Sequence, residues 1–193
     1  MKNQKFIIVL IVCIIACGVF FAINLLGEKD EDKNLKNYPQ EIQDVYAITK
    51  FVSISGMQEG KKYDFQVLDD KNRFMMLFNY LEYKGWLQEE ISFDTMNTAL
   101  QSLYGTTFDY GNFIFTYGKY VYQNDGNRII GSALTNETTY EYSTKIESYS
   151  IKGNQITLDM KITGSVEDAI YHYEFEKSNG DYRLIHISLK AAK

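Results

Sequence analysis

The sequence predicts an α+β domain held to a membrane by an N-terminal helix, and three observations predict it. Residues 6–26 form an uninterrupted apolar run. Three segments between residues 40 and 104 space their apolar side chains as helices do, and after Gly105 the spacing turns to alternation and ends in two tight-turned hairpins. The composition fits. Of 193 residues, 45% are hydrophobic, 15% aromatic and 23% charged, which supplies one domain core and excludes a disordered or collagen-like chain. Both cysteines fall inside the apolar run, so the rest of the chain has no disulfide framework.

The first element is the anchor. Residues 1–5 are a short tail, and residues 6–26 read FIIVLIVCIIACGVFFAINLL, with Asn24 the one polar side chain. As a helix this run covers roughly 30 Å, the hydrocarbon thickness of a bilayer. Lys2 and Lys5 precede it, and Glu28, Lys29, Asp30, Glu31 and Asp32 follow. Positive flanking charge stays in the cytoplasm, so the expectation is a single-pass cell-membrane protein with an extracytoplasmic C-terminal domain. A cleaved secretory signal is one alternative, but its apolar region is shorter, roughly 7–15 residues. A lipid anchor outside the cell is the other, because Ile14-Ile15-Ala16-Cys17 resembles the lipobox of bacterial lipoproteins and makes Cys17 a lipidation candidate. The residues after Cys17 stay apolar, against the lipoprotein pattern. Cys13 and Cys17 also share one helix face, where small apolar cysteines serve as packing residues.

Charge then restricts partners. Two of the 20 basic residues precede the apolar run and no acid does, which leaves 18 bases against 25 acids beyond it, a net charge of −7. Nucleic acid and anionic lipid headgroups are disfavoured as partners, since both need a basic patch and none is visible. The absence of cysteine beyond residue 17, with abundant Lys, Asn, Ile and Tyr, suits a Gram-positive-type cell surface.

Residues 27–39 are a polar stalk closed by Pro39, and residues 40–193 are the domain. Ile42, Val45, Tyr46, Ile48 and Thr49 give a helical stripe in 40–52. Residues 53–69 have no clear period. Asp69 or Asp70 caps a second helix carrying Phe74, Leu77, Phe78 and Leu81, which ends at Gly85. Ser92 or Asp94 starts a third, with Phe93, Met96, Leu100, Leu103 and Tyr104 on its apolar side and Gly105 as its stop. Strands then carry Phe113, Phe115 and Tyr117, Tyr120 and Tyr122, and residues 128–131 after an Asp125-Gly126 turn.

The Gly153-Asn154 turn sets Ile151 opposite Ile156, Tyr149 opposite Leu158 and Glu147 opposite Met160 on an apolar face. Ser150 and Thr157, and Ser148 and Asp159, pair on the polar one. The Asn179-Gly180 turn sets Phe175 against Leu184, Tyr173 against His186, Tyr171 against Ser188, Glu176 against Arg183 and His172 against Ile187. Both faces of this last hairpin carry apolar groups, so it belongs at the centre of the sheet or is covered on two sides.

Helices followed by long antiparallel hairpins imply two or three helices packed on a curved antiparallel sheet. That order resembles the cone fold of the nuclear-transport-factor-like and ketosteroid-isomerase-like families over about residues 40–190, with a cystatin-like helix-on-sheet arrangement as the alternative. Membrane-anchored members of the cone fold occur in bacterial cell envelopes, including assembly components of secretion and conjugation machines. The resemblance rests on element order, and it carries over no functional residue.

Two histidines could serve as metal ligands or as an acid–base pair, but the expected register puts His172 and His186 on opposite faces. No metal or cofactor is therefore expected. Cone-fold enzymes use acids and tyrosines in the pocket between helix and sheet; Asp159, Glu147 and Glu174 could supply the acids, yet Asp159 falls on a polar face and no catalytic residue is assigned. Sixteen tyrosines suggest sugar binding, with Tyr110, Tyr117, Tyr120 and Tyr122 the candidate ligand-binding residues, although tyrosine is also simply a favoured strand residue. Phosphate loops, HExxH, paired CxxC and nucleophile elbows are absent, and Asn124-Asp125-Gly126-Asn127 reads as a turn rather than a calcium loop. The functional expectation is a non-catalytic envelope module binding a protein partner or small ligand. A cone-pocket enzyme and a lipid-anchored protein with a glycan-binding aromatic surface are the alternatives.

Overall fold

The structure is a computed structural model that describes residues 34–107, 111, 113–134, 143–164 and 168–190. All of them belong to one compact unit, Asp32–Lys193. The expected anchor at 6–26, Cys17 and Tyr110 lie outside the described residues. Among the described residues no helix is long and apolar enough to cross a membrane.

Three helices form the centre. Pro39, whose ring fixes φ, accepts the Ile42 and Gln43 N–H groups on its carbonyl and opens α1 (Gln40–Thr49), which buries Ile42, Val45, Tyr46, Ile48 and Thr49. The Asp69 carboxylate accepts the Asn72 N–H at 2.8 Å and starts α2 (Asp70–Tyr83). Every residue from Phe74 to Leu81 is buried, because α2 is covered on all sides: it packs on α1 and α3 and faces a strand as well. Ser92 Oγ accepts the Thr95 N–H at 3.1 Å and caps α3 (Phe93–Tyr104). Gly105, at φ 70°, ends that helix with its N–H on the Gln101 carbonyl.

The strands divide into two antiparallel sheets among the described residues, where a single curved sheet is expected. The larger runs β1 (Lys62–Tyr63), β9 (Asp181–Lys190), β8 (Ala169–Ser178), β7 (Gln155–Thr163), β6 (Ser143–Lys152). The smaller runs β2 (Glu90–Ser92), β5 (Arg128–Ala133), β4 (Tyr120–Asn124), β3 (Ile114–Tyr117). α1 lies against β7 and α3 against β9, while α2 turns to β3. The Tyr46 and Thr144 hydroxyls, 2.8 Å apart, tie α1 to the large sheet. The separate small sheet arises because Phe115, Tyr117 and Tyr122 pack their rings on Phe78 of α2 rather than on the large sheet.

The final hairpin has the expected turn but a different register. Asn179 and Gly180 both adopt positive φ, as a type I′ turn requires, and Phe175–Leu184 and Glu176–Arg183 are paired. Beyond them a bulge adds Ile185 to β9, so Glu174 opposes His186, Tyr173 opposes Ile187, His172 opposes Ser188 and Tyr171 opposes Leu189. A one-residue slip exchanges the two faces of a strand. His172 and His186 therefore share the outer face, contrary to the expectation that they cannot meet.

β8 is the central strand, with one apolar face and one polar face. In the other hairpin Ile151–Ile156 and Tyr149–Leu158 pair as expected, but a bulge at Glu147 brings Ile146 opposite Met160. Ile151 and Tyr149 are 39% and 43% exposed on the edge strand instead of buried, with Tyr149 set edge-on to Tyr38 at 5.7 Å. Leu35 and Tyr38, at the end of the expected stalk, pack against the core.

Candidate functional site

Tyr117, Tyr120 and Tyr122 come together. The two-residue turn Gly118-Lys119 pairs Tyr117 with Tyr120 and Phe115 with Tyr122, and alternation places all four on one face of the β3–β4 hairpin. The ring of Tyr122 lies 4.8 Å from that of Phe78 and 5.9 Å from that of Tyr120. On its other side it covers Gly131, its partner on β5, where no side chain intervenes. The three tyrosines line an open cavity of about 350 Å³ together with Glu82, Gln88 and Glu89.

A buried amide fixes Tyr117. Asn79, 1% exposed, donates through Nδ2 to the Ile48 and Lys50 carbonyls at 3.0 and 2.8 Å, which serves the C-terminus of α1. Its Oδ1 accepts the Tyr117 hydroxyl at 2.9 Å, and that hydroxyl also lies 2.7 Å from Glu82 Oε2. Tyr120 donates to Glu89 Oε1 at 3.1 Å, and Lys119 Nζ stands 5.5 Å from the centre of the Tyr120 ring. Burial, then the nearby Tyr120, Glu89 and Glu82, push the Tyr122 hydroxyl up to about 12, so it stays a neutral hydrogen-bonding group at physiological pH. The cavity thus offers ring edges, one half-buried ring, hydroxyls and acceptor oxygens. These are the kinds of group that meet a small polar molecule.

Alternation in the sequence places these tyrosines on successive strands, but it gives no sign of the turn that pairs them or of Glu82, Gln88 and Glu89. These come from the end of α2 and the loop after it, and tertiary packing alone brings them to the hairpin.

A second polar group occupies the outer face of the large sheet. Asp159, 7% exposed, accepts hydrogen bonds from Ser148 and Lys190, and His172 Nδ1 lies 2.5 Å from its Oδ1. Glu174 accepts from Lys62 Nζ at 2.5 Å and lies 3.5 Å from His172 Nε2 and 3.4 Å from His186 Nδ1. For Asp159, burial raises the carboxyl, but bonds from Lys190, Ser148 and His172 outweigh it and hold it below the usual range. Glu174 is lowered likewise, by Lys62 and then the two histidines, against its own burial.

This arrangement is not a nucleophile triad, because Ser148 is bonded to the carboxylate and not to the imidazole that would take its proton. Among the described residues no group of three or more His, Cys, Asp and Glu is placed to hold a metal ion. The cluster reads as an ion network that satisfies a half-buried polar sheet face.

Comparison with protein-family models, with curated proteins and with solved structures gave no match.

Proposed function

We propose that this chain is a membrane-anchored, extracytoplasmic, non-catalytic module, and that the tyrosine cavity is where it binds a small ligand. The observation that carries the reading is the convergence of three tyrosines and two carboxylates from α2, the following loop and the β3–β4 hairpin on one cavity of about 350 Å³. Small-molecule sites span about 300–1,000 Å³. The apolar run at 6–26 with lysines before it and acids after it supports the anchor and its orientation, and the composition supports a Gram-positive-type envelope. Helices preceding long antiparallel hairpins support a cone-like reading of the large sheet and its helices.

The carboxyls held below their usual range supply no general acid at neutral pH. Asp159, Glu174 and Asp181 lie in ion pairs with Lys190, Lys62 and Lys84, outside the cavity. A general acid at neutral pH needs a carboxyl shifted the other way. A protein partner is the second reading, favoured by Ile114, 75% exposed on the edge strand β3.

The test is a screen of neutral small-molecule fragments against the full-length protein in lipid nanodiscs, followed by ligand-observed NMR. Tyr120→Ala should weaken fragments that bind by about tenfold, equivalent to 1.4 kcal/mol. Fragments that bind wild type and Tyr120→Ala alike refute the assignment, as does a screen with no binder. The anchor is tested separately: Asn34→Cys should react with an impermeant thiol reagent on intact cells, and labelling only after lysis would overturn the orientation.

A further inference from the structure

We propose that the tyrosine cavity is one of two adjoining subsites for a neutral oligosaccharide, the second being a cavity of about 310 Å³ beside Trp86. This rests on the reading of the tyrosine cavity as a ligand site. Trp86, Gln88, Glu90, Ser92, Asp94 and Thr98 line the second cavity. Gln88 lines both, so the two lie on either side of one short segment.

That segment is pinned at each end. The Trp86 and Leu87 N–H groups both donate to the Leu81 carbonyl, at 2.8 and 3.2 Å, and the Glu89 carbonyl accepts the Gly131 N–H at 2.6 Å. Across the β2–β5 pair, Arg128 Nη1 lies 2.5 Å from Glu90 Oε2. A ridge held in this way offers its side chains without the ordering cost of a mobile loop.

The chemistry selects the ligand by exclusion. Four carboxylates border the two cavities (Glu82, Glu89, Glu90 and Asp94), which repel phosphates and uronates. A cationic ligand needs free negative charge or an open ring face. Glu82 lies 3.6 Å from Lys50 and Glu90 pairs with Arg128, whereas Glu89, which accepts from Tyr120, and Asp94 at the rim have no ion-pair partner among the described residues, so choline tests a cationic ligand directly. Lys119 already holds the cation position over the Tyr120 ring.

A neutral ligand rich in hydroxyls fits the remaining groups. The half-buried rings of Trp86 and Tyr120, one in each cavity, offer sugar C–H groups the apolar surface that Lys84 and Lys119 leave uncovered. The Gln88 amide, which donates and accepts, stands at their junction and makes no hydrogen bond among the described residues. Asp94 is exposed at the rim with the Ser92 and Thr98 hydroxyls. A single ring can fill one cavity, whereas engagement of Gln88 and both aromatic residues requires linked rings.

The experiment is calorimetric titration of the full-length protein in nanodiscs with cellotetraose and with glucose, and with tetragalacturonate and choline as charged controls. Cellotetraose should bind more tightly than glucose by about tenfold or more, and the controls should not bind. Trp86→Ala and Gln88→Ala should each weaken cellotetraose by more than they weaken glucose, whereas Tyr120→Ala should weaken both. Gln88 is exposed and makes no hydrogen bond among the described residues, so its variant reads the subsite even if Trp86→Ala unfolds the domain. Equal affinity for the two saccharides, a Gln88→Ala affinity within about twofold of wild type, or binding of either control as tight as cellotetraose overturns the proposal. Failure of both saccharides also overturns it, and the Tyr120-dependent fragments then decide separately whether the tyrosine cavity is a ligand site.

Discussion

Replacing Gly131 with alanine tests the packing that shapes the tyrosine cavity. A Cβ at this position would stand 2.7 Å from Tyr122 Cε1 and 3.2 Å from its Cδ1 and Cζ. Carbon atoms in contact settle about 3.5–4.0 Å apart, so the ring must move by about 1 Å. It has little room to do so, since Tyr122 is 1% exposed and its ring is wedged between Phe78 and Tyr120. Forcing a methyl group into a filled core costs about 1–3 kcal/mol.

Gly131 has no left-handed φ, so the effect is steric alone. Gly153→Ala is the control. Its φ of 62° imposes a backbone cost of about 1–2 kcal/mol, but no atom lies within 4 Å of the new Cβ and the site is remote from the cavity. Denaturant melts should show both variants destabilised, while binding titrations should show a loss in Gly131→Ala only. If Gly131→Ala melts like wild type, Tyr122 does not cover β5 and the cavity wall built from it is wrong.

Other expectations follow from the large sheet. Gly180→Val places a β-branched residue at φ 81° in the type I′ turn and should cost about 1–3 kcal/mol in a denaturant melt. Leu184→Ala empties a buried position opposite Phe175 and should cost about 2–5 kcal/mol, well above the 0–1 kcal/mol expected for the exposed Arg183→Glu; the reverse order would place the register in error. Asp159 and Glu174 are held below their ordinary values of 3.8 and 4.5. Their ion network therefore contributes stability above those values and loses it as the pH falls through the lower folded ones. Thermal melts should be flat from neutral pH down to about pH 5 and fall below about pH 4, with a shallower acid limb in Asp159→Asn.

Single residues make much of the fold legible. Asp69, Ser92 and Gly105 mark the helix ends, and Asn179-Gly180 and Gly153-Asn154 mark the hairpins, because each supplies a cap or a left-handed φ that few other residues supply. Registers are legible only as far as the first bulge. Nothing in the composition around Glu147 or Ile185 signals an inserted residue, and each bulge moves every later pair by one. β1 and β2 have two and three residues, too few for alternation to show, and Ser92 at the end of β2 also serves as the α3 cap.

The division into two sheets depends on which side of α2 the tyrosine-bearing strands choose, and a helix buried on every side does not record that choice. Half of the site is legible for the same reasons. Alternation marks the tyrosines as strand residues, whereas the Gly118-Lys119 pairing shows only in the structure, and Glu82, Gln88, Glu89 and Trp86 reach them through the packing of a helix end and a loop.

The most direct test of the binding account is an NMR titration of the full-length protein, carrying isotope-labelled tyrosine rings, with cellotetraose. The account predicts that the signals of Tyr117, Tyr120 and Tyr122 move together. Those of Tyr149 on β6 and Tyr182 on β9, which do not line the cavity, should stay in place. Movement at Tyr149 or Tyr182 with Tyr120 unchanged, or no movement at any ring, would contradict it.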